Sequence, residues 1–287
     1  MTSLNVDVFV YPMEPYNSPD ASGAGEIVTW APMSSTLISG PTEAILIDAM
    51  LTTHHADAIA AWAKTFDKKI TGIYITHGHT DHWGGGGRLL THFPDARLYA
   101  APEVAARAAW EADANKKSRY WSSRFPGQLT DPLVVPTVYP SNEILVDGKP
   151  VNIVHIGQGD IDGSVAFSVP SIDAIVAGDV VYNNVHMMFF EADEPGRDAW
   201  IESIDKIVAL NPKIVVAGHK SVGAADAPDN LAKSRQYIRD FSTVARRGGS
   251  VEDLVNGMLE LHGERDQNHT LWISARAEVA RRQAAQV

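Results

Sequence analysis

Apolar and polar positions along this chain switch repeatedly between two periods. Alternation over residues 6–10 and again over 70–75 predicts strands, the second rich in β-branched and aromatic side chains. Residues 27–30 and 34–39 read as a hairpin-like pair, and the apolar run 44–48 as a buried strand ending at Asp48. Further strands are expected over 97–100, 142–146, 150–156, 165–169, 173–179 and 213–219, with Asp147-Gly148 as a hairpin turn. Helical spacing intervenes between them. Ala58, Ile59, Trp62 and Ala63 mark a helix from Thr52 to about residue 66, and Trp200, Ile201, Ile204, Ile207 and Val208 mark one over 198–210. Others are expected over 102–115, from about 230 to 246, over 251–261 and over 269–282. Strands and helices alternate without a linker, which predicts an α/β fold in one domain over residues 1–287. An irregular loop around 116–140 and a helical C-terminal tail complete it. Loops 11–25 and 116–140 are long enough to act as lids or binding walls.

The strand over 70–75 delivers Thr76-His77-Gly78-His79-Thr80-Asp81-His82-Trp83-Gly84-Gly85 at its C-terminal end. His77 and His79, two apart on extended backbone, present their rings to the same side. Asp81 and His82 fall where the chain turns, so they can face a second ion. Imidazole and carboxylate suit zinc, and also iron or manganese. Glycine costs about 1 kcal/mol per helical position, so the run Gly84 to Gly87 implies close backbone approach beside this cluster. His54 and His55 read as solvated or capping groups at a helix start, and His262 and His269 as surface groups.

This H-x-H-x-D-H pattern behind a strand resembles the first metal motif of the metallo-β-lactamase superfamily. The resemblance implies a four-layered αββα sandwich with two metal ions in a cleft at one edge of the sheets. It also implies later ligands, each at the end of another strand. Gly178-Asp179 matches the metal-bridging aspartate, and Gly218-His219 the last ligand. A third histidine belongs in the stretch His155-Ile156-Gly157-Gln158-Gly159-Asp160-Ile161-Asp162-Gly163-Ser164, but neither plausible register supplies one. One register puts Gln158 there and the other Asp160. A carboxylate ligates divalent ions better than a neutral amide, which favours Asp160, with Gln158 and Asp162 near the metal's edge. Asp48 would orient a ligand or simply end its strand. Tyr182 and His186 would lie near the metals and contact the substrate.

Composition narrows the chemistry. The chain has 287 residues, 45% of them apolar and 21% charged, as in an ordinary soluble globular protein. A formal charge of -11 argues against nucleic acid as a partner. There are no cysteines, which excludes disulfides and thiolate ligands or nucleophiles. No signal peptide is recognisable, and no run approaches the roughly 20 apolar residues of a membrane span. A cytoplasmic protein that does not engage a membrane is the default. Nothing in the pattern specifies an oligomeric state.

The expected ligand sets are His77, His79 and Asp160 for one ion and Asp81, His82 and His219 for the other, bridged by Asp179. Two zinc ions per chain, with manganese or iron as the harder alternatives that an extra carboxylate favours, would activate a hydroxide between them. Asp81 would also serve as a proton acceptor. The expectation is a metal-dependent hydrolase that opens an ester, lactone or amide bond of a small molecule. An iron-dependent redox enzyme or lyase is the first alternative, and a non-catalytic metal- or ligand-binding protein the second.

Overall fold

The computed structural model describes residues 3–18 and 28–285. Its first half builds a six-stranded sheet from β1 (Asn5–Tyr11), β4 (Met33–Ser39), β5 (Glu43–Ile47), β6 (Lys69–Ile75), β7 (Leu98–Ala100) and β8 (Thr137–Val138), in that spatial order. The short strands β2 (Glu14–Pro15) and β3 (Thr29–Trp30) pair with each other beside it. β1, β4 and β5 are antiparallel, and from β5 onward neighbours run parallel. The parallel connections carry α1 (Thr53–Lys64), α2 (Thr80–Trp83), α3 (Gly86–His92), α4 (Pro102–Ser118) and α5 (Tyr120–Arg124). The second half builds a five-stranded sheet from β9 (Glu143–Val146), β10 (Lys149–Gly157), β11 (Ser164–Val169), β12 (Ala174–Asn183) and β13 (Ile214–Lys220), antiparallel except for β12 with β13. Helices α6 (Glu194–Ala209), α7 (Asp229–Arg246), α8 (Val251–His262) and α9 (Asn268–Ala284) cover it.

Strands β11, β12 and β13 of the second sheet are buried on both faces, and their period-two pattern divides them between two cores. Val165, Phe167 and Val176 enter the core shared with the first sheet, whereas their neighbours Ala166, Ile175 and Ala177 enter the core under the helices. Polar bonds tie the layers at the rim. Ser34 Oγ donates to the Ala217 carbonyl at 2.6 Å, and the Val165 amide donates to the Thr76 carbonyl at 2.8 Å. The result is the expected mixed α/β arrangement of two sheets with helices outside them.

Three local expectations change, and one is settled between its alternatives. Residues 29–30 do not form a hairpin with β4: they pair with β2, while β4 is taken on its two edges by β1 and β5. Residue 27, like 19–25 of the first long loop, lies outside the described residues. Region 116–140 is not wholly irregular, because the end of α4 and all of α5 fall in it. Of the solvated and capping roles expected for His55, it takes the capping one: fully buried, it completes a capping box with Thr52, its Nε2 paired with Glu14. His262 and His269 are half-buried, His262 against Asp240 at 2.9 Å and His269 against the ring of Tyr16.

The C-terminal helices are locked on by a buried cation. Arg197 of α6 donates to Ser242 of α7 at 2.9 Å, to the Ala192 carbonyl at 3.1 Å and to Glu278 of α9 at 2.9 Å. Its side chain is 1% exposed. Removing one member of such a pair strands the other charge, which costs about 3–5 kcal/mol. Glu278→Ala is therefore expected to lose that much in denaturant unfolding, and a loss below about 1 kcal/mol would show that Arg197 is satisfied without it.

Candidate metal centre

The ends of β5 and β6 meet the middle of β12 and the end of β13 at one edge of the sandwich. Asp179 and His219 do not end their strands, since β12 runs on to Asn183 and β13 to Lys220. Register shifts on either side of Gly178 turn this part of β12, and such bulges re-aim side chains. Gly178 has φ +53°, and a Cβ there would sit 2.6 Å from Thr76 Oγ1. At Gly218 a Cβ would collide with Asp179 Oδ1. The first glycine thus lets β12 pack against the first motif, and the second lets β13 pack against β12.

Seven side chains converge there. His79 Nδ1 is 2.7 Å from Asp160 Oδ2, and His77 Nε2 is 3.6 Å from Asp160 Oδ1. His82 Nε2 is 3.4 Å from Asp179 Oδ1 and 3.9 Å from Asp81 Oδ2, while His219 Nε2 is 3.3 Å from Asp179 Oδ2 and 3.5 Å from Asp81 Oδ2. All but His79 are buried.

The outer nitrogen of each imidazole is occupied, which fixes what the inner one offers. His219 Nδ1 donates to the Pro32 carbonyl at 2.9 Å, and His82 Nδ1 donates to Asp48 Oδ2 at 2.9 Å. Asp48 also accepts from the Thr76 amide at 2.9 Å and from Thr76 Oγ1 at 2.8 Å. With that hydroxyl proton committed, Thr76 Oγ1 accepts from His77 Nδ1 at 3.1 Å. Asp48 thus both ends its strand, at φ 63°, and orients a histidine. His79 is reversed: its Nε2 donates to Glu191 Oε1 at 3.2 Å and its Nδ1 faces inward. Among the described residues, the buried atoms His77 Nε2, His82 Nε2 and Asp179 Oδ1 have no hydrogen-bond partner. Buried polar atoms are rarely left so, and three aimed at one another fit a cation.

Charge tells the same story. Burial opposes protonation of His79, His82 and His219, but the carboxylates outweigh it. Asp160 holds His79 well above the ordinary histidine range, Asp179 and Asp48 bring His82 to about 9, and Asp179 and Asp81 hold His219 well above it. Only His77 is pushed well below, by burial and then by the charge of His82. Asp179 and Asp81 stay below the usual carboxylate range despite burial, because His219 and His82 face them. Asp160 is pushed up by burial. The centre carries an excess of carboxylate that protons neutralise, and a divalent ion would displace them.

Gln158 and Asp162 stand outside this cluster. A shift in pairing between His155 and Gly157, which has φ +98°, turns the chain before the loop begins. Gln158 Nε2 then donates to the Gly159 carbonyl, and Asp162 is exposed. His155 points away, to Glu103 at 2.5 Å and Asn142 at 2.9 Å. Tyr182 is near the centre and lines the cavity over it, with its hydroxyl donating to Asp179 Oδ2 at 2.6 Å and its ring stacked on His219. Burial and the Asp179 charge hold its phenol well above the ordinary range. His186 lies elsewhere, fully buried, with Nδ1 2.8 Å from the Tyr237 hydroxyl.

A cavity of about 500 Å³ opens over the cluster. Its floor includes His79, Asp81, Asp160, Asp179 and His219, and its walls carry Trp30, Trp110, Tyr120, Trp121, Met188 and Phe190. Trp30 meets Trp121 edge-on at 5.0 Å. Arg107, Glu111 and Glu191 stand at one side and were not singled out by sequence reasoning. The i,i+4 spacing of Arg107 and Glu111 was a readable signal. Glu191 had none, being an acid in an irregular segment.

With that geometry in view, comparisons with known proteins identify the class. The metallo-beta-lactamase superfamily profile matches residues 28–219, and the chain belongs to that family. Its fold is similar to that of a metallo-beta-lactamase from Hirschia baltica, at 16% identity and TM-score 0.58 over 81% of this chain and 93% of that one. A metallo-beta-lactamase family protein from Thermus thermophilus is similar at 20% identity and TM-score 0.59, covering 96% and 94%. In sequence the chain is 28% identical over 176 residues to ribonuclease J of Pyrococcus abyssi (strain GE5 / Orsay), which covers 61% of this chain and 35% of that protein. The match thus spans about a third of the relative's length.

His186 yields a pH prediction. Burial, and then the charge of Arg265, push it down to about 4 from 6.5. The unfolded chain therefore takes up this proton first as pH falls. His186 contributes stability above pH 6.5 that is lost progressively down to about pH 4, on the order of 3 kcal/mol. His186→Gln should flatten the fall in unfolding free energy between pH 6.5 and 4 relative to the parent; parallel curves would contradict the assignment.

Proposed function

We propose that this protein is a dinuclear metal-dependent hydrolase, with zinc as its ion, that opens an ester, lactone or amide bond of a small molecule. The observation that carries the reading is the set of partnerless buried atoms at the centre of oriented histidines and aspartates. His77, His79 and Asp160 would hold one ion, Asp81, His82 and His219 the other, with Asp179 between them. Bound there, the ions would supply Lewis acidity and an activated water near neutral pH. Tyr182 holds Asp179 in place through its hydroxyl. Asp81, on the cavity floor, is the candidate proton acceptor. The aromatic walls hold the uncharged body of a substrate and exclude water from the reacting bond.

No described helix is long and apolar enough to cross a membrane, and we assign the protein to the cytoplasm. The ribonuclease J relative raises RNA as a substrate. A chain with formal charge -11 repels a polyanion, and an aromatic cavity suits an uncharged molecule better, so we assign a small molecule. Zinc has support from the similar fold of a Pseudomonas aeruginosa metallo-beta-lactamase, at 15% identity and TM-score 0.58 over 82% of this chain and 91% of that one, whose structure is of a mono-zinc form.

Elemental analysis of protein purified without added metal, followed by turnover on esters, lactones, amides and a short RNA, tests the proposal. About two zinc ions per chain are expected in the parent and about one in Asp160→Ala, with ester or lactone turnover abolished by a chelator and restored by zinc. Dominant iron would favour the redox or lyase alternative. Two ions retained in the variant would remove Asp160 from the ligand set. Cleavage of RNA alone would overturn the substrate assignment, and metal without any turnover would leave a binding protein.

A further inference from the structure

Glu191 belongs to the segment between β12 and α6, where the family motifs have no counterpart, yet it reaches back to the first motif. Its Oε1 lies 3.2 Å from His79 Nε2. The same carboxylate is gripped at both oxygens by Arg107 of α4, at 2.6 Å to Oε1 and 3.0 Å to Oε2. Arg107 in turn holds Glu111 at 2.8 Å, and Glu111 accepts from Thr80 Oγ1 at 3.0 Å. The chain of contacts therefore starts on His79, leaves the motif through a remote loop and a helix, and returns to Thr80, the next residue. Bidentate arginine–carboxylate pairs are geometrically specific, so the acceptor facing His79 is fixed in direction. His79, Glu111 and Glu191 together also have the make-up of a cation site, but the Arg107 guanidinium already bonds both acids.

We propose that Glu191, clamped by Arg107, is a positioning residue for His79. By accepting the proton on Nε2 it commits that nitrogen outward and leaves Nδ1, which donates to Asp160 here, as the nitrogen a metal ion would take on displacing that proton. This rests on the reading of His79 as a ligand. His79 needs such a device more than its neighbours do, because its side chain is 19% exposed whereas those of His77, His82 and His219 are buried. Those three are held by burial as well as by their outer hydrogen bonds. It is also the one of the four that presents Nδ1.

Competition for zinc between the protein and a chromophoric chelator, run on the parent, Glu191→Ala and Glu191→Gln, tests the inference. Loss of a metal ligand's hydrogen-bond partner costs about 10–100-fold in affinity. Glu191→Ala is expected to weaken one of the two zinc ions by that factor and leave the other unchanged. Glu191→Gln should restore most of the loss, since its amide oxygen can accept the same proton. Parent affinities in the Ala variant would overturn the inference while leaving the hydrolase reading intact. So would equal weakening in Ala and Gln, which would mark an effect of charge, or weakening of both ions with a lowered thermal midpoint, which would mark a structural one. A parent that binds no zinc would overturn both readings.

Discussion

Burying a charge without a partner costs several kcal/mol, and this fold gathers aspartates and histidines at a sandwich edge that water barely reaches. Everything around them answers that cost. Asp48 is the knot: it receives the Thr76 amide and hydroxyl and the His82 ring, so the end of β5, the end of β6 and the start of α2 are joined through one carboxylate. Within β12 of the other sheet, the Tyr182 hydroxyl fixes the direction of the Asp179 carboxylate. The shared apolar core and the rim hydrogen bonds pack the two sheets together. The acids and imidazoles add contacts that span both sheets, His82 facing Asp179 and His219 facing Asp81.

The two environments stacked at this edge have opposite preferences. Below lies a charged cluster whose acids favour positive charge so strongly that three of its histidines hold protons above their ordinary range. Above it lies an aromatic cavity with Trp110, Tyr120 and Phe190 partly open to solvent at 60%, 42% and 58% exposure. On the proposed reading, a molecule filling the upper part would bring its bond to the lower part with little water between, where electrostatic interactions are strongest.

Much of this was legible because it depends on local spacing. Four donors within six residues behind an alternating strand, and two strand-Gly-ligand segments, are patterns that chain geometry turns directly into a cluster. Asp160 was reachable only by weighing a carboxylate against an amide, because the choice between it and Gln158 is made by a pairing shift near Gly157. Sequence spacing does not record such a slip. The pairing of β3 with β2 was illegible for a related reason: residues 34–39 read Ser-Ser-Thr-Leu-Ile-Ser, with no alternation to favour one neighbour, and competition from β1 and β5 decides. Tyr182 was expected near the centre and is there, but the hydroxyl's direction toward Asp179 follows from the bulged backbone at Gly178. Glu191 and the cavity walls come from irregular or distant segments, where tertiary packing alone brings residues together.

The histidines differ in what anchors them. His82 leans on a side chain, Asp48, and His77 on another, Thr76, so either anchor can be deleted by a change of one residue. His219 leans on the main-chain oxygen of Pro32, which every amino acid carries. Heritable variation at position 32 can shift that oxygen but cannot delete it. One wall of the centre is thus written in the backbone and protected from drift, while the opposite wall is written in side chains and open to it.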